Sequence, residues 1–87
     1  MKYEVEWTTR ALRELRKLDR TAARRVLLAV TRLADDPRPA GVRALVGKPS
    51  GTLRLRVGDY RVVYLVEEGR IVVTVVRVGH RREVYRS

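Results

Sequence analysis

The chain has 87 residues, no cysteine and a formal net charge of +10, from 20 basic and 10 acidic side chains. Its 45% hydrophobic content is enough for one modest core, so it is not a disordered basic tail, and a single domain spanning 1–87 is expected. The missing cysteine excludes a disulfide, a thiolate nucleophile and a Cys-based zinc site, and no apolar run approaches the ~20 residues that span a bilayer, so the expected location is the cytoplasm, with no membrane contact.

At the start, "KYEVEW" (2–7) alternates Tyr3, Val5 and Trp7 with Lys2, Glu4 and Glu6, which reads as a half-buried strand. Thr8 and Thr9 follow as an N-cap signal, because a hydroxyl can satisfy an orphan N–H of the next turn. Leu12, Leu15 and Leu18 then form the apolar stripe of a helix coated by Arg10, Arg13, Glu14, Arg16 and Lys17. Asp19 reads as the cap of a second helix after a very short connection. There Ala23, Leu27, Val30 and Ala34 recur at helical spacing, joined by Val26 and Leu33, so the two helices form an αα-hairpin. The prolines of "DDPRPAG" (35–41) end it.

A loop is expected to about residue 51. In "TLRLRV" (52–57), Leu53, Leu55 and Val57 face one way and Thr52, Arg54 and Arg56 the other. Gly58 and Asp59 signal a hairpin turn, "YRVVYLV" returns, and "EEG" turns again. "RIVVTVVRV" (70–78) is apolar on both faces, as an interior strand is. "GHRR" is expected to break it, and "EVYRS" to end the chain as a short strand or tail. The order is β-α-α-β-β-β: an α+β fold with a mostly antiparallel, twisted sheet and the N-terminal helical hairpin packed on one face.

The positive charge is unevenly placed. Residues 1–42 carry ten basic and six acidic groups, whereas 43–87 carry ten basic and only four acidic, so the excess lies with the strands. Such a chain suits a polyanion: nucleic acid, ribosome, anionic membrane or an acidic protein. Codon bias toward arginine is the competing explanation. If the helices cover one sheet face, the other presents Arg54, Arg56 and Arg61, with Arg81, Arg82 and Tyr85 following the last strand. Clustered guanidiniums repel one another and make sense around a phosphate, which Arg matches bidentately. The alternative is a set of solvated strand residues beside a Val-rich core.

Standard catalytic sets are scarce. His80 is the one histidine, so paired-histidine RNA cleavage is unavailable. Asp35 and Asp36 read as a helix end and Asp59 as a turn former, so no metal and no cofactor are expected. Phosphate-binding glycine loops, Ser-His-Asp sets and zinc spacings are absent. An enzyme here works with Arg, Lys and Tyr. RNA supplies its own nucleophile, the 2′-OH, leaving the protein to align it and stabilise the developing phosphorane charge.

The succession "YEVEWTTRALRELRKL" … "ADDPR" … "LRLRVGDYRVVYLV" … "VVRVGHRREVYR" resembles the RelE toxins of the RelE/ParE toxin–antitoxin superfamily along nearly the whole chain. "GDYRVVY" and "VGHRREVY" are its most specific parts. The resemblance implies the same β-α-α-β-β-β fold with a concave sheet face. It also implies a bacterial toxin that enters the ribosomal A site and cuts mRNA without metal, by 2′-OH attack on the adjacent phosphate. Its implied partners are the 70S ribosome with mRNA and a cognate acidic, RelB-like antitoxin, with operator DNA bound only through the toxin–antitoxin complex.

By that resemblance Arg61 binds the scissile phosphate and stabilises the transition state, Arg81 plays a similar charge role, and Tyr85 orients or deprotonates the 2′-OH. Arg56, Lys48, Arg82 and His80 are expected to contact RNA. Two lysines of the family pattern read Thr52 and Arg54 here. Arg54 keeps the charge but, with a pKa above ~12, donates a proton poorly; Thr52 carries none. That leaves the general acid unassigned, with His80 the adjacent candidate. Many RelE toxins carry a further C-terminal helix that this chain is expected to lack. Two other readings stand beside this one: a ParE-like toxin that poisons DNA gyrase, which characteristically lacks the Arg/Tyr set, and a basic binding module without catalysis.

Overall fold

The alternation of Tyr3, Val5 and Trp7 folds as strand β1 (Glu4–Trp7), with Val5 and Trp7 half-buried and both glutamates exposed. The computed structural model describes residues 2–80. Helices α1 (Thr9–Arg16) and α2 (Arg20–Leu33) follow, then strands β2 (Arg43–Ala44), β3 (Thr52–Val57), β4 (Tyr60–Glu67) and β5 (Val72–His80). One five-stranded sheet runs in the order β1-β5-β4-β3-β2; β1 lies parallel to β5 and every other pair is antiparallel.

Thr8 caps α1 as its sequence indicates. Its Oγ1 accepts from the Ala11 N–H at 3.0 Å and donates to the Val76 carbonyl at 3.4 Å, so the cap also ties the helix to β5. Thr8→Ala is expected to lower stability by about 1 kcal/mol, read as a shift of the urea midpoint at constant m-value. Asp19 holds the N-cap position of α2, but its side chain makes no capping bond.

The core forms where Ala11, Leu15, Val26, Val30 and Leu33 meet Leu53, Val62, Tyr64, Val66, Val73, Val75 and Val78. Of the expected apolar positions on this helix, Val26, Val30, Leu33 and Ala34 are buried, Ala23 is only partly so and Leu27 is not. Ala22 is buried as well, whereas Leu27 and Leu28 are 45% and 55% exposed. Leu27 and the buried residues share helical spacing, and only packing against the sheet decides how the helix is rotated.

Three strand assignments also change. The expected loop at 42–51 contains β2, which pairs with β3. Ile71 lies in the turn before β5 with φ 55°, a conformation that a β-branched side chain seldom adopts. Gly79 and His80 do not break β5 but continue it, because they pair with Arg61 and Tyr60 of β4. The expected C-terminal strand or tail, "EVYRS", lies outside the described residues.

A bulge interrupts the β4–β5 ladder. Val63 opposes Arg77 and Tyr64 opposes Val75, so Val76 has no partner. One extra residue reverses which face each later side chain takes. Val73 and Val75 point into the core before the bulge, and Val78 does so after it.

Candidate nucleic-acid interface

Directly opposed residues on neighbouring strands share a sheet face, so register alone assigns each side chain. On β3 and β4, Thr52 opposes Leu65, Arg54 opposes Val63 and Arg56 opposes Arg61. On β2, Arg43 opposes Arg54; on β5, Arg77 opposes Val63 and Gly79 opposes Arg61. The face opposite the helix-packed core therefore carries Arg43, Arg54, Arg56, Arg61 and Arg77. Two pairs, Arg43–Arg54 and Arg56–Arg61, are like charges set directly across from each other, an arrangement that costs stability unless an anion relieves it.

The side chains of this row are held to different degrees. Arg61 is 8% exposed, and its η1 nitrogen donates to the Tyr60 carbonyl at 3.3 Å. The Arg56 Nε donates to the Gly58 carbonyl at 3.3 Å across the hairpin turn. Near the β4–β5 turn Glu6 and Glu67 pair with Arg70, and Glu68 pairs with Arg38.

Glu14 of α1 is the carboxylate that reaches β5. It accepts from the Val78 backbone N–H at 2.8 Å and from the Arg77 Nε at 3.1 Å, so one side chain secures the strand at the bulge and orients Arg77. Beside Arg77 lies a groove of about 340 Å³ lined by Leu45, Thr52, Val63, Leu65 and Val76, with Arg10, Lys48 and Arg77 supplying positive charge. Among the described residues, no three His, Cys, Asp or Glu side chains gather as metal ligands would.

The expected site residues thus separate into three groups. Arg54, Arg56 and Arg61 share one face, with Thr52 on the same face and Lys48 lining the groove. His80 is not with them. It opposes Tyr60 on the helix-bearing side, where the two rings meet edge-on with centroids 5.9 Å apart, because the bulge and the continued strand turn it away from the arginines. Arg81, Arg82 and Tyr85 lie outside the described residues. Sequence reasoning missed Arg43, hidden in an apparent loop, and Arg77, hidden in an apolar strand. The bulge beside Arg77 leaves no mark in the local pattern.

A family model described as the ParE toxin of the type II toxin–antitoxin system parDE matches residues 5–85. The chain belongs to the RelE/ParE superfamily of type II toxin–antitoxin toxins. Within that superfamily it is 37% identical to Toxin RelG of Mycobacterium tuberculosis over 87 residues, covering 99% of each chain. It is 35% identical over 88 residues to the mRNA interferase toxin RelE of Escherichia coli, covering 98% of this chain and 92% of the other. In three dimensions it matches the crystal structure of the toxin–antitoxin complex RelBE2 from Mycobacterium tuberculosis with a TM-score of 0.80 and 32% identity, over 93% of this chain and 100% of that one. The RelE-like character read from "GDYRVVY" and "VGHRREVY" and the β-α-α-β-β-β order both stand, and the arginine row belongs to a toxin.

Proposed function

We propose that this toxin is a ribosome-dependent endoribonuclease, a single domain over 1–87 that cuts mRNA in the A site of the 70S ribosome without a metal. The observation that carries the reading is the pair of opposed arginine pairs on the face away from the helices. A phosphodiester backbone suits that density of positive charge, and guanidinium forks match its oxygens. In the reaction the 2′-oxygen bonds to phosphorus as the bond to the 5′-oxygen breaks, leaving a 2′,3′-cyclic phosphate; the 2′-OH proton leaves and the 5′-oxygen gains one. Arg61 and Arg54 neutralise the phosphorane charge. Arg81 adds to that charge stabilisation, and Tyr85 orients or deprotonates the 2′-OH. His80, on the other face, is withdrawn as the acid.

The test is cleavage of a defined mRNA by the purified full chain, with and without ribosomes. Cuts confined to the A site and dependent on ribosomes support the reading; none, in an assay where an active RelE cuts, defeats it. The ParE description of the matching family model favours a second reading, gyrase poisoning, so supercoiling by gyrase is assayed in parallel.

The antitoxin partner follows from the same comparisons, since the RelBE2 neighbour is a toxin–antitoxin complex. We propose that the cognate antitoxin is acidic and RelB-like, that operator DNA is reached only through the complex, and that the pair works in the cytoplasm. The outer face of α2 suits such a partner. Leu27 and Leu28 stand exposed along a groove with Arg20 and Arg24, an apolar ridge flanked by positive charge. Leu27→Asp is expected to weaken antitoxin binding by roughly 10- to 100-fold, the cost of unburying one leucine, as read by calorimetric titration. An unchanged affinity would move the docking surface off α2.

A further inference from the structure

The groove beside the arginine row is lined by Arg77, a guanidinium held at its Nε by Glu14. The Arg77 side chain is only 15% exposed, and its Nε is taken by Glu14 at 3.1 Å. Among the described residues no acceptor takes its η N–H groups. These groups still reach solvent, since no described side-chain nitrogen or oxygen is both sealed from water and without a partner, so a ligand supplying acceptors exchanges water for a fixed pair of hydrogen bonds. The walls around them, Val63, Leu65 and Val76, are apolar, and a volume of about 340 Å³ falls at the lower end of the range for small-molecule sites, about 300–1,000 Å³.

We propose that this groove is a base-binding subsite for the RNA, in which Arg77, positioned by Glu14, selects a base presenting two adjacent acceptors. The proposal rests on the reading of the arginine row as an RNA interface and names what that reading leaves open, the base preference. The Glu14 carboxylate already neutralises Arg77, so the attraction of this groove for a phosphate lies with Arg10 and Lys48, and the Arg77 η N–H groups are left for a neutral acceptor edge. A neutral acceptor edge needs only the donors. Guanine offers O6 and N7 side by side, and unpaired cytosine offers O2 and N3. Adenine sets the N6 donor beside its acceptors, and uracil places N3–H between its two oxygens.

The bulge is what makes the subsite possible. Were β5 paired regularly through Val76, Arg77 would take the core-facing side that Val73 and Val75 occupy. Glu14 secures that arrangement through the Val78 N–H, and by holding Nε it aims the η nitrogens away from α1. Glu14 is a positioning residue; Arg77 is the one that touches the base.

The experiment is a titration of the isotopically labelled full chain with GMP, CMP, AMP and UMP, following the Arg77 Nε–H and the methyl signals of Val63, Leu65 and Val76. All four nucleotides carry the same phosphate, so differences report the base. GMP and CMP are expected to shift these signals with at least fivefold higher affinity than AMP and UMP. In Arg77→Lys, which keeps the charge and loses the fork, that ratio should collapse toward one. In Glu14→Gln it should fall part-way while thermal stability drops; a purely structural Glu14 would lower stability and leave the ratio intact. Equal shifts from all four nucleotides, or none in the groove, overturn the subsite. So does an acidic antitoxin peptide that shifts these signals where nucleotides do not. A parallel set of ribosome-programmed mRNAs, varied base by base, should show the same preference at one codon position. Absence of any cleavage there would defeat the endoribonuclease reading, while the nucleotide titration would still decide the subsite by itself.

Discussion

Arg61→Ala is expected to lower A-site mRNA cleavage by about 10²–10³-fold, the usual cost of removing one preorganised group from a developing oxyanion. Growth arrest on expression should disappear with it. Arg61 heads β4 directly opposite Arg56 and beside Gly79, which brings no side chain to that position. At 8% exposure it also contributes packing, so the substitution alone mixes two effects. Arg61→Lys separates them: it keeps the charge and most of the stem but loses the fork, and an intermediate rate is the expected result. The substitution leaves the backbone pairing of β4 with β3 and β5 in place, so the variant should remain folded by circular dichroism. Antitoxin affinity should hold, because the outer face of α2 lies on the other side of the sheet. A folded Arg61→Ala protein as toxic as the wild type would remove the arginine row from the mechanism.

Tyr64→Ala is expected to cost about 3–5 kcal/mol, a large part of the total stability of a domain this size, whereas Tyr64→Phe should cost about 1–2 kcal/mol. Tyr64 is fully buried at the centre of the core, and its hydroxyl donates to the Pro37 carbonyl at 2.7 Å, fastening the proline segment that ends α2. The alanine variant loses the ring and the bond; the phenylalanine variant loses only the bond and leaves the carbonyl unpaired. Burial pushes the phenol up to about 12, with Arg38 lowering it and Asp36 raising it to smaller extents.

The sign of the pH effect follows from that shift. The folded state binds the phenolic proton more tightly than the unfolded state, so this stabilisation is complete below about pH 10 and is lost as pH rises toward 12. Relative to Tyr64→Phe, the wild type should therefore lose on the order of 2–3 kcal/mol across that interval, measured by urea unfolding at a series of alkaline pH values. Parallel pH curves for the two proteins would show that Tyr64 ionises as easily folded as unfolded.

Much of this molecule is written locally in its sequence. Alternation in "TLRLRV" puts Arg54 and Arg56 together on one side of β3, and Gly58, with φ 61°, supplies the turn that brings Arg61 across from Arg56. Thr8 announces the start of α1, and the weak acidity of residues 43–87 announces where the positive surface lies. These features are legible because strand alternation, helix caps and tight turns depend on a few neighbouring residues. Tertiary structure decided the rest. It turned α2 so that Leu27, at helical spacing with the buried residues, faces out, paired Arg43 with Arg54 across an apparent loop, and left one residue unpaired at Val76. That single bulge sends Arg77 to the arginine row and His80 to the opposite face. A period of two fixes which residues share a face within a strand; only pairing with the next strand fixes which face it is, and a one-residue bulge reverses the answer for everything that follows.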